Sequence, residues 1–186
     1  MLVNVLVAII CIAPVFILVF KLRSEEKDQR VDYILSGAVS RTKYFAGHVV
    51  MGFAASVVMP FIAATGMWAT GRIMMDEPIA FHTMLRAMMV YVPALWVMLG
   101  LAVLLIGLLP KAVMLCWTYF AYIFVAGFFG DLLGMPEWSL RLSPVGFVPR
   151  LPLDEVNART LLALSAIALC LMALGFIFYR RRDVVS

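Results

Sequence analysis

Few side chains in this 186-residue sequence could carry out chemistry, and they stand far apart. His48 and His82 lie outside any cluster of metal-ligating residues, and no Ser–His or Cys–His pair is placed for nucleophilic work. Asp131 has no second membrane Asp that would complete a catalytic dyad. A Walker-type phosphate-binding loop is also absent from the sequence. We therefore predict that the chain is not an enzyme and that it holds no catalytic residue, metal or cofactor of its own.

The composition explains why chemistry-bearing residues are scarce. Hydrophobic residues make up 65% of the chain and charged residues 14%, whereas a soluble domain is about half apolar and about a quarter charged. A compact globule of this length needs a more polar surface than that. The net charge of +4 is not gathered into a patch. These features exclude a soluble enzyme and a nucleic-acid-binding domain.

Five apolar stretches have about the 20 residues that a helix needs to cross a ~30 Å hydrocarbon core. They cover residues 2–22, 46–70, 87–109, 112–130 and 160–179. We predict one all-α, polytopic integral membrane domain with a cytoplasmic segment at 23–45 and an outer interfacial segment at 131–159. No Asp, Glu, Lys or Arg lies within the five apolar cores. Ion-coupled transporters keep ionisable groups at membrane depth, so this absence argues against ion coupling.

The distribution of Lys and Arg predicts the orientation in the membrane. Ten of the fifteen basic residues fall on one side, namely Lys21, Arg23, Lys27, Arg30, Arg41, Lys43, Lys111, Arg180, Arg181 and Arg182. We predict that this side is cytoplasmic, in a bacterial-type inner or plasma membrane, and that the run 180–182 anchors the C-terminus there. Met1 then lies outside. A chain that opens with an outside-to-inside helix is expected to follow another helix, from a longer chain or from a second one.

The cytoplasmic segment has the pattern of a short amphipathic helix. Ser24 is a candidate N-cap, and Glu25 and Glu26 follow in the first turn, where carboxylates favour the helix dipole. Ser40 is a candidate cap for the next helix, which begins at Arg41. Apolar residues recur on one face at Val31, Ile34, Leu35 and Ala38. The spacing leaves two roles open: the helix rests in the lipid headgroups, or it docks on a soluble partner.

Small residues and prolines predict local features of the membrane part. The pairs Gly52/Ser56, Ala126/Gly130 and Gly130/Gly134 have the spacing of four that allows close helix packing. Pro93 predicts a kink in the third span. Segment 131–159 contains Trp138 and several prolines. It is interpreted either as a lid over a path between helices or as a plain anchoring loop.

Several short motifs occur in the same order along the chain as in a known family of membrane proteins. Glu25-Glu26, Arg30, Tyr33-Ile34-Leu35 and Val39-Ser40-Arg41 resemble the cytoplasmic signature of ABC-2 type permeases, above all the branch that exports polyketide antibiotics of the tetronasin and anthracycline type. Gln29 stands where that branch has Gly, and Ala38 where it has Pro. The segment 142–147 and the run Arg181-Arg182-Asp183 are similar to motifs near the end of that branch.

This resemblance implies a six-helix permease half of which the chain supplies helices two to six. It implies that the amphipathic segment is a coupling helix seated on a separate ABC ATPase subunit, which binds ATP–Mg²⁺. The implied coupling residues are Glu25, Glu26, Arg30, Val31, Ile34, Leu35, Ser40 and Arg41. It further implies a second permease half or copy, and export of a hydrophobic or amphipathic compound. The alternative is a non-transporting membrane assembly or signalling subunit that docks a cytoplasmic regulator.

Overall fold

The computed structural model describes residues 2–27, 41–74, 79–109, 114–130, 134, 142–148 and 157–181. Across these ranges the chain is helical and contains no strand, which confirms the all-α class. The elements in chain order are α1 Leu2–Ile10, α2 Ile12–Lys27, α3 Arg41–Met74, α4 Phe81–Met89, α5 Val92–Leu108, α6 Met114–Phe129, the short 3₁₀ helix η1 Pro144–Phe147, and α7 Ala158–Arg181.

Four helical stretches are long and apolar enough to cross a membrane: Val3–Lys21, Thr42–Met74, Phe81–Leu108 and Ala158–Arg181. A fifth apolar helix, Met114–Phe129, has 16 residues. At 1.5 Å per residue it is about 24 Å long, somewhat less than a ~30 Å hydrocarbon core. The polytopic architecture predicted from the sequence is therefore confirmed, with four to five helices capable of spanning.

The outward faces of these helices are apolar. On α7, Leu162 is 70% exposed and Leu169 is 63% exposed, and similar side chains line the outer faces of α3 and α6. In water, exposed apolar surface of this extent would drive association. In a bilayer the same side chains contact lipid tails, so the exposure pattern fits a protein embedded in lipid.

The third span is broken before Pro93, as the sequence predicted. Helix α4 ends at Met89, and α5 begins at Val92 after a turn. Proline has no N–H for the carbonyl four residues earlier, and its ring collides with that carbonyl, which here belongs to Met89. The interruption thus lies where the chemistry of Pro93 places it.

A second break, at Cys11, divides the first span into α1 and α2. It lies three residues before Pro14. Because Pro14 has no N–H, the carbonyl of Ile10 loses its helical hydrogen bond, and the proline ring collides with that carbonyl. The sequence analysis did not predict this break, because the apolar run continues through it. Pro60 lies inside α3 without interrupting the helix.

One expectation about the cytoplasmic segment is wrong. Helix α2 continues through Ser24 and ends at Lys27, so Ser24 has helical backbone and cannot be an N-cap, which needs non-helical dihedrals. Glu25, Glu26 and Lys27 are good helix formers, and they extend the membrane helix by a turn.

The tightest packing joins α5 and α7, which contact each other more extensively than any other described pair of helices. A Cβ added at Gly100 would lie 2.9 Å from the carbonyl oxygen of Ala168, and one added at Gly175 would lie 2.7 Å from that of Val103. A Cβ at Gly107 would meet the carbonyl of Gly175. Residue numbers rise together along both helices, so the two run parallel, with backbones as close as small residues permit.

Gly52 brings a further two helices to this pair. A Cβ at Gly52 would lie 2.8 Å from side-chain atoms of both Leu99 on α5 and Val19 on α2. Ser56, one turn later, is fully buried. The close packing predicted for this pair of small residues is confirmed, and it positions α2, α3 and α5 around one another.

Candidate functional site

The candidate site is the end of the bundle from which the predicted coupling segment departs. Glu25 and Glu26 lie in the last turn of α2, and Arg41 is the first residue of α3. The remaining predicted coupling residues, Arg30, Val31, Ile34, Leu35 and Ser40, lie outside the described residues. Their role in partner binding stays a prediction, and the structure describes instead the helices that hold both ends of the segment.

The end of α2 is held to α6 by four aromatic rings, here named the α2–α6 cluster. Phe16 lies 6.0 Å from Trp117 with the rings nearly perpendicular, and Trp117 lies 5.9 Å from Phe120 in the same geometry. Phe20 joins at 5.2 Å from Phe16. Edge-to-face pairs of this kind contribute about 0.5–1.5 kcal/mol beyond their burial. The cluster therefore adds a contact between α2 and α6, beside the more extensive packing of α2 on α3 and α5.

The beginning of α3 is held to α7 by a separate group, the α3–α7 cluster. The Phe45 ring is fully buried and stacks on Tyr179 at 4.2 Å, with an interplanar angle of 11°. Phe176 meets Phe45 at 4.8 Å, edge to face. Since α7 is closely packed on α5, this cluster joins the start of α3 to the α5–α7 pair.

The two flanks of the predicted coupling segment pack on each other and also reach different helices. Helix α2 contacts α3 and α5 extensively, and the aromatic clusters add contacts from α2 to α6 and from α3 to α7. A force applied to the segment would therefore act on α2 and α3 together and extend to α6 and α7 through the two clusters. Packed interfaces shift between discrete arrangements and do not deform continuously.

His48 lies beside the α3–α7 cluster and is largely buried. Its Nδ1 atom lies 3.2 Å from the carbonyl oxygen of Tyr44, and its ring packs on the Tyr44 ring at 4.8 Å. Among the described residues, no three His, Cys, Asp or Glu side chains come together as potential metal ligands. The contacts of His48 therefore indicate a role in side-chain packing beside the α3–α7 cluster.

Exposed basic side chains divide between the two ends of the bundle. Lys21, Lys43, Arg180 and Arg181 are exposed at the end where α2 finishes, α3 begins and α7 finishes. Arg72, Arg86 and Arg159 are exposed at the opposite end, and the Arg72 guanidinium lies 5.0 Å from the centroid of the Trp68 ring. Arg182, the third residue of the predicted anchor, lies outside the described residues.

A polar contact joins α3 and α5 midway along the bundle. The indole Nε1–H of Trp96 donates to the hydroxyl of Ser56 at 2.9 Å, and that hydroxyl donates to the carbonyl of Phe53 at 2.6 Å. The Phe53 ring stacks on Trp96 at 4.7 Å. Trp96 is not among the residues predicted from the sequence. The available signal was a Trp in the middle of an apolar span, away from the interfacial belts where Trp is usual.

The outer segment contributes a short piece that packs into the bundle. Val145 and Val148 are buried in the core around η1, and the Ser143 hydroxyl caps η1 by accepting from the Val145 N–H at 3.2 Å. The Tyr119 hydroxyl of α6 donates to the carbonyl of Leu142 at 2.7 Å. Non-helical backbone is tolerated at depth only where its polar groups are satisfied in this way. Whether the segment acts as a lid stays a prediction.

Comparison with known proteins completes this description. The family model for the multidrug efflux system permease Rv1217c, C-terminal domain, matches residues 1–180. The multidrug efflux system permease protein Rv1217c of Mycobacterium tuberculosis is 34% identical over 169 residues, which cover 90% of this chain and 31% of that protein. The chain thus spans about a third of the length of that curated relative. It belongs to the family of the C-terminal domain of the multidrug efflux system permease Rv1217c.

Proposed function

We propose that this chain is the membrane-spanning permease part of an ATP-driven ABC-2 type exporter. It moves a hydrophobic or amphipathic, antibiotic-like compound out of the cell, in the manner of the polyketide-exporter branch that its motifs resemble. The observation that carries the proposal is the family match over residues 1–180 to an efflux permease. The apolar, all-helical architecture supports the same reading.

The source of energy is inferred from what the spans contain. Their apolar cores hold no Asp, Glu, Lys or Arg, and transporters driven by ion gradients use such residues to carry the coupling ion. A separate ABC ATPase subunit that binds ATP–Mg²⁺ would supply the work instead. The coupling residues at 25–41 would receive it, with Glu25, Glu26, Arg30, Leu35 and Arg41 facing that subunit.

The two aromatic clusters supply the route by which the work would reach the membrane helices. Movement of the coupling segment would pull on α2, and with it α6, through Phe16 and Trp117. It would also pull on α3, and with it the α5–α7 pair, through Phe45 and Tyr179. A shift of α6 relative to the α5–α7 pair would open and close a path between them. A second permease half or copy, seated in the same lipid, would complete that path.

Leu35→Asp tests the docking step. Leu35 belongs to the predicted apolar face of the coupling segment, and a carboxylate there would remove a central contact with the proposed ATPase subunit. Losing such a contact costs about 2 kcal/mol, so the amount of ATPase subunit that co-purifies per permease should fall about tenfold or more. The measurement is quantitative mass spectrometry of the tagged permease complex extracted from native membranes.

Gln29→Asp is the matched control, since it adds the same charge on the opposite face of the predicted helix. It should leave both co-purification and membrane insertion unchanged. Co-purification of Leu35→Asp at the native level would contradict the coupling role. A native complex that carries no ATPase subunit, or carries a regulator in its place, would support the alternative assembly or signalling subunit.

A further inference from the structure

Helices α3 and α4–α5 run antiparallel with a register that three contacts define. Each contact joins a residue of α3 to one further along the chain. They are Gly52 with Leu99, Ser56 with Trp96, and Trp68 with Phe81. Between the second and third of these contacts, the register places Pro60 of α3 opposite the turn formed by Val90 and Tyr91. A proline within the continuous helix α3 and the break between α4 and α5 therefore lie side by side at one level of the bundle.

Both positions lack a helical hydrogen bond. Pro60 has no N–H for the carbonyl of Ser56, and Pro93 has none for the carbonyl of Met89. At the second position the backbone has already left α geometry, since the Tyr91 N–H donates to the carbonyl three residues before it at 3.1 Å. Missing hydrogen bonds of this kind are the usual origin of kinks in long helices.

Packing differs sharply on the two sides of this level. In the run 61–74 of α3, Ala64 is the one buried residue, and in α4 the buried residues are Ala87 and Met88. Helix α5, on the other side, has ten buried residues. The principal contact of α4 is with α3, and includes the Trp68–Phe81 ring pair at 5.3 Å. Residues 61–74 and helix α4 therefore pack mainly on each other; we name them the distal helix pair.

We propose that the distal helix pair moves as one unit about two opposed hinges, at Pro60 and at Val90 and Tyr91. The remainder of α3 and α5 stays in place, because the Ser56–Trp96 hydrogen bond and the close α5–α7 packing fasten it on the near side of both hinges. The distal helix pair lies at the end of the bundle opposite the predicted coupling segment. It goes beyond the proposed function, since it requires neither an ATPase subunit nor a particular substrate.

Spin-label distances test the hinge in the intact permease complex reconstituted into lipid nanodiscs. One pair of labels, at the exposed positions Ala69 and Ala163, reports the distal helix pair against α7. A second pair, at Ala54 and Ala173, reports the near half of α3 against the same helix. Exposed Cys170 is replaced by Ala to avoid labelling there. The expected result is a broad or two-component distance distribution for the first pair and a narrow one for the second.

Pro60→Ala restores the missing N–H and should narrow the first distribution to about the width of the second. Pro93→Ala, at the opposite hinge, should have the same effect and replaces Pro60→Ala if that variant does not accumulate. Pro14→Ala is the matched control, because it restores a helical bond at the α1–α2 break, away from the distal pair, and should change neither distribution. A first distribution as narrow as the second in the native protein would overturn the proposal. So would a broad one that neither hinge variant narrows.

Discussion

Glycine at three positions allows the backbones of α5 and α7 to touch. At Gly107 and Gly175 the neighbouring atoms are backbone carbonyls, which cannot rotate away as a long side chain can. Between membrane helices, surrounding lipid is as apolar as the protein, so association depends on close van der Waals packing and not on the hydrophobic effect. Because these glycines have no side chain, the two backbones can approach closely, and the resulting van der Waals packing stabilises the contact.

Gly107→Ala should lower the free energy of unfolding by about 1–3 kcal/mol, the usual cost of overpacking. The added methyl group would meet the carbonyl of Gly175, and the two helices would have to separate. Unfolding in a detergent titration measures the loss. Gly47→Ala is the control, since no atom lies within 4 Å of its added Cβ. It should leave stability unchanged or raise it by up to about 1 kcal/mol through helix propensity. Equal effects of the two substitutions would contradict the role of the contact.

At the scale of elements, η1 is attached to the bundle by local capping and by one longer-range hydrogen bond. The cap comes from Ser143, and the longer bond runs from the Tyr119 hydroxyl to Leu142. Val145 of η1 and Val148, which follows it, pack against the core. The polar part of this attachment to α6 depends on the Tyr119 hydroxyl, which can be removed without changing the shape of α6.

Tyr119→Phe should release this attachment selectively. Loss of the hydrogen bond costs about 0.5–1.5 kcal/mol, so amide exchange in residues 142–148 should speed up about two- to tenfold, with global stability nearly unchanged. Hydrogen–deuterium exchange mass spectrometry measures it. Thr118→Val is the control: it removes a hydroxyl that bonds within α6, to the carbonyl of Met114. Faster exchange in both variants, or in neither, would contradict the assignment.

The charge distribution belongs to the scale of the whole molecule. Exposed Lys21, Lys43, Arg180 and Arg181 lie at one end, which also carries the ends of α2 and α7. Parallel packing of α5 and α7 requires that the chain between them cross back once, which α6 can do. The positive-inside rule predicts that the basic end lies in the cytoplasm, which would put the C-terminus inside and the segment around residue 134 outside.

Reporter fusions test this orientation. Green fluorescent protein fused after residue 186 should fluoresce, and alkaline phosphatase inserted after residue 134 should be active. The reciprocal fusions, with the reporters exchanged, should both be silent. The reverse pattern would contradict the assignment of the basic end to the cytoplasm, while leaving the arrangement of helices intact.

Parts of this architecture could be predicted because they depend on short-range chemistry. Apolar runs of sufficient length predict helices, and Pro93 predicts a break at the residues before it. Pro14 carries the same signal for the break at Cys11, three residues before it. Ser24 was assigned wrongly, because the pattern of a cap followed by acidic residues also fits the continuing end of a helix, and only the preceding helix distinguishes the two.

The helix partners could not be predicted from the sequence. A membrane helix that is apolar on every side has no periodic face that points to a protein neighbour, since lipid and protein satisfy it equally well. The contacts Gly107–Gly175, Phe45–Tyr179 and Ser56–Trp96 join residues far apart in the chain, and each depends on steric fit or a single hydrogen bond.

The amino-acid order by itself determined that the chain is helical, apolar and built to lie in a bilayer, because the length and composition of each run leave no other way to satisfy its backbone in lipid. Tertiary structure alone decided which helices touch, which helices the flanks of the predicted coupling segment contact, and that Pro60 lies opposite the break between α4 and α5. Those features depend on steric fit between residues that are far apart in the sequence, and no local sequence pattern encodes such a fit.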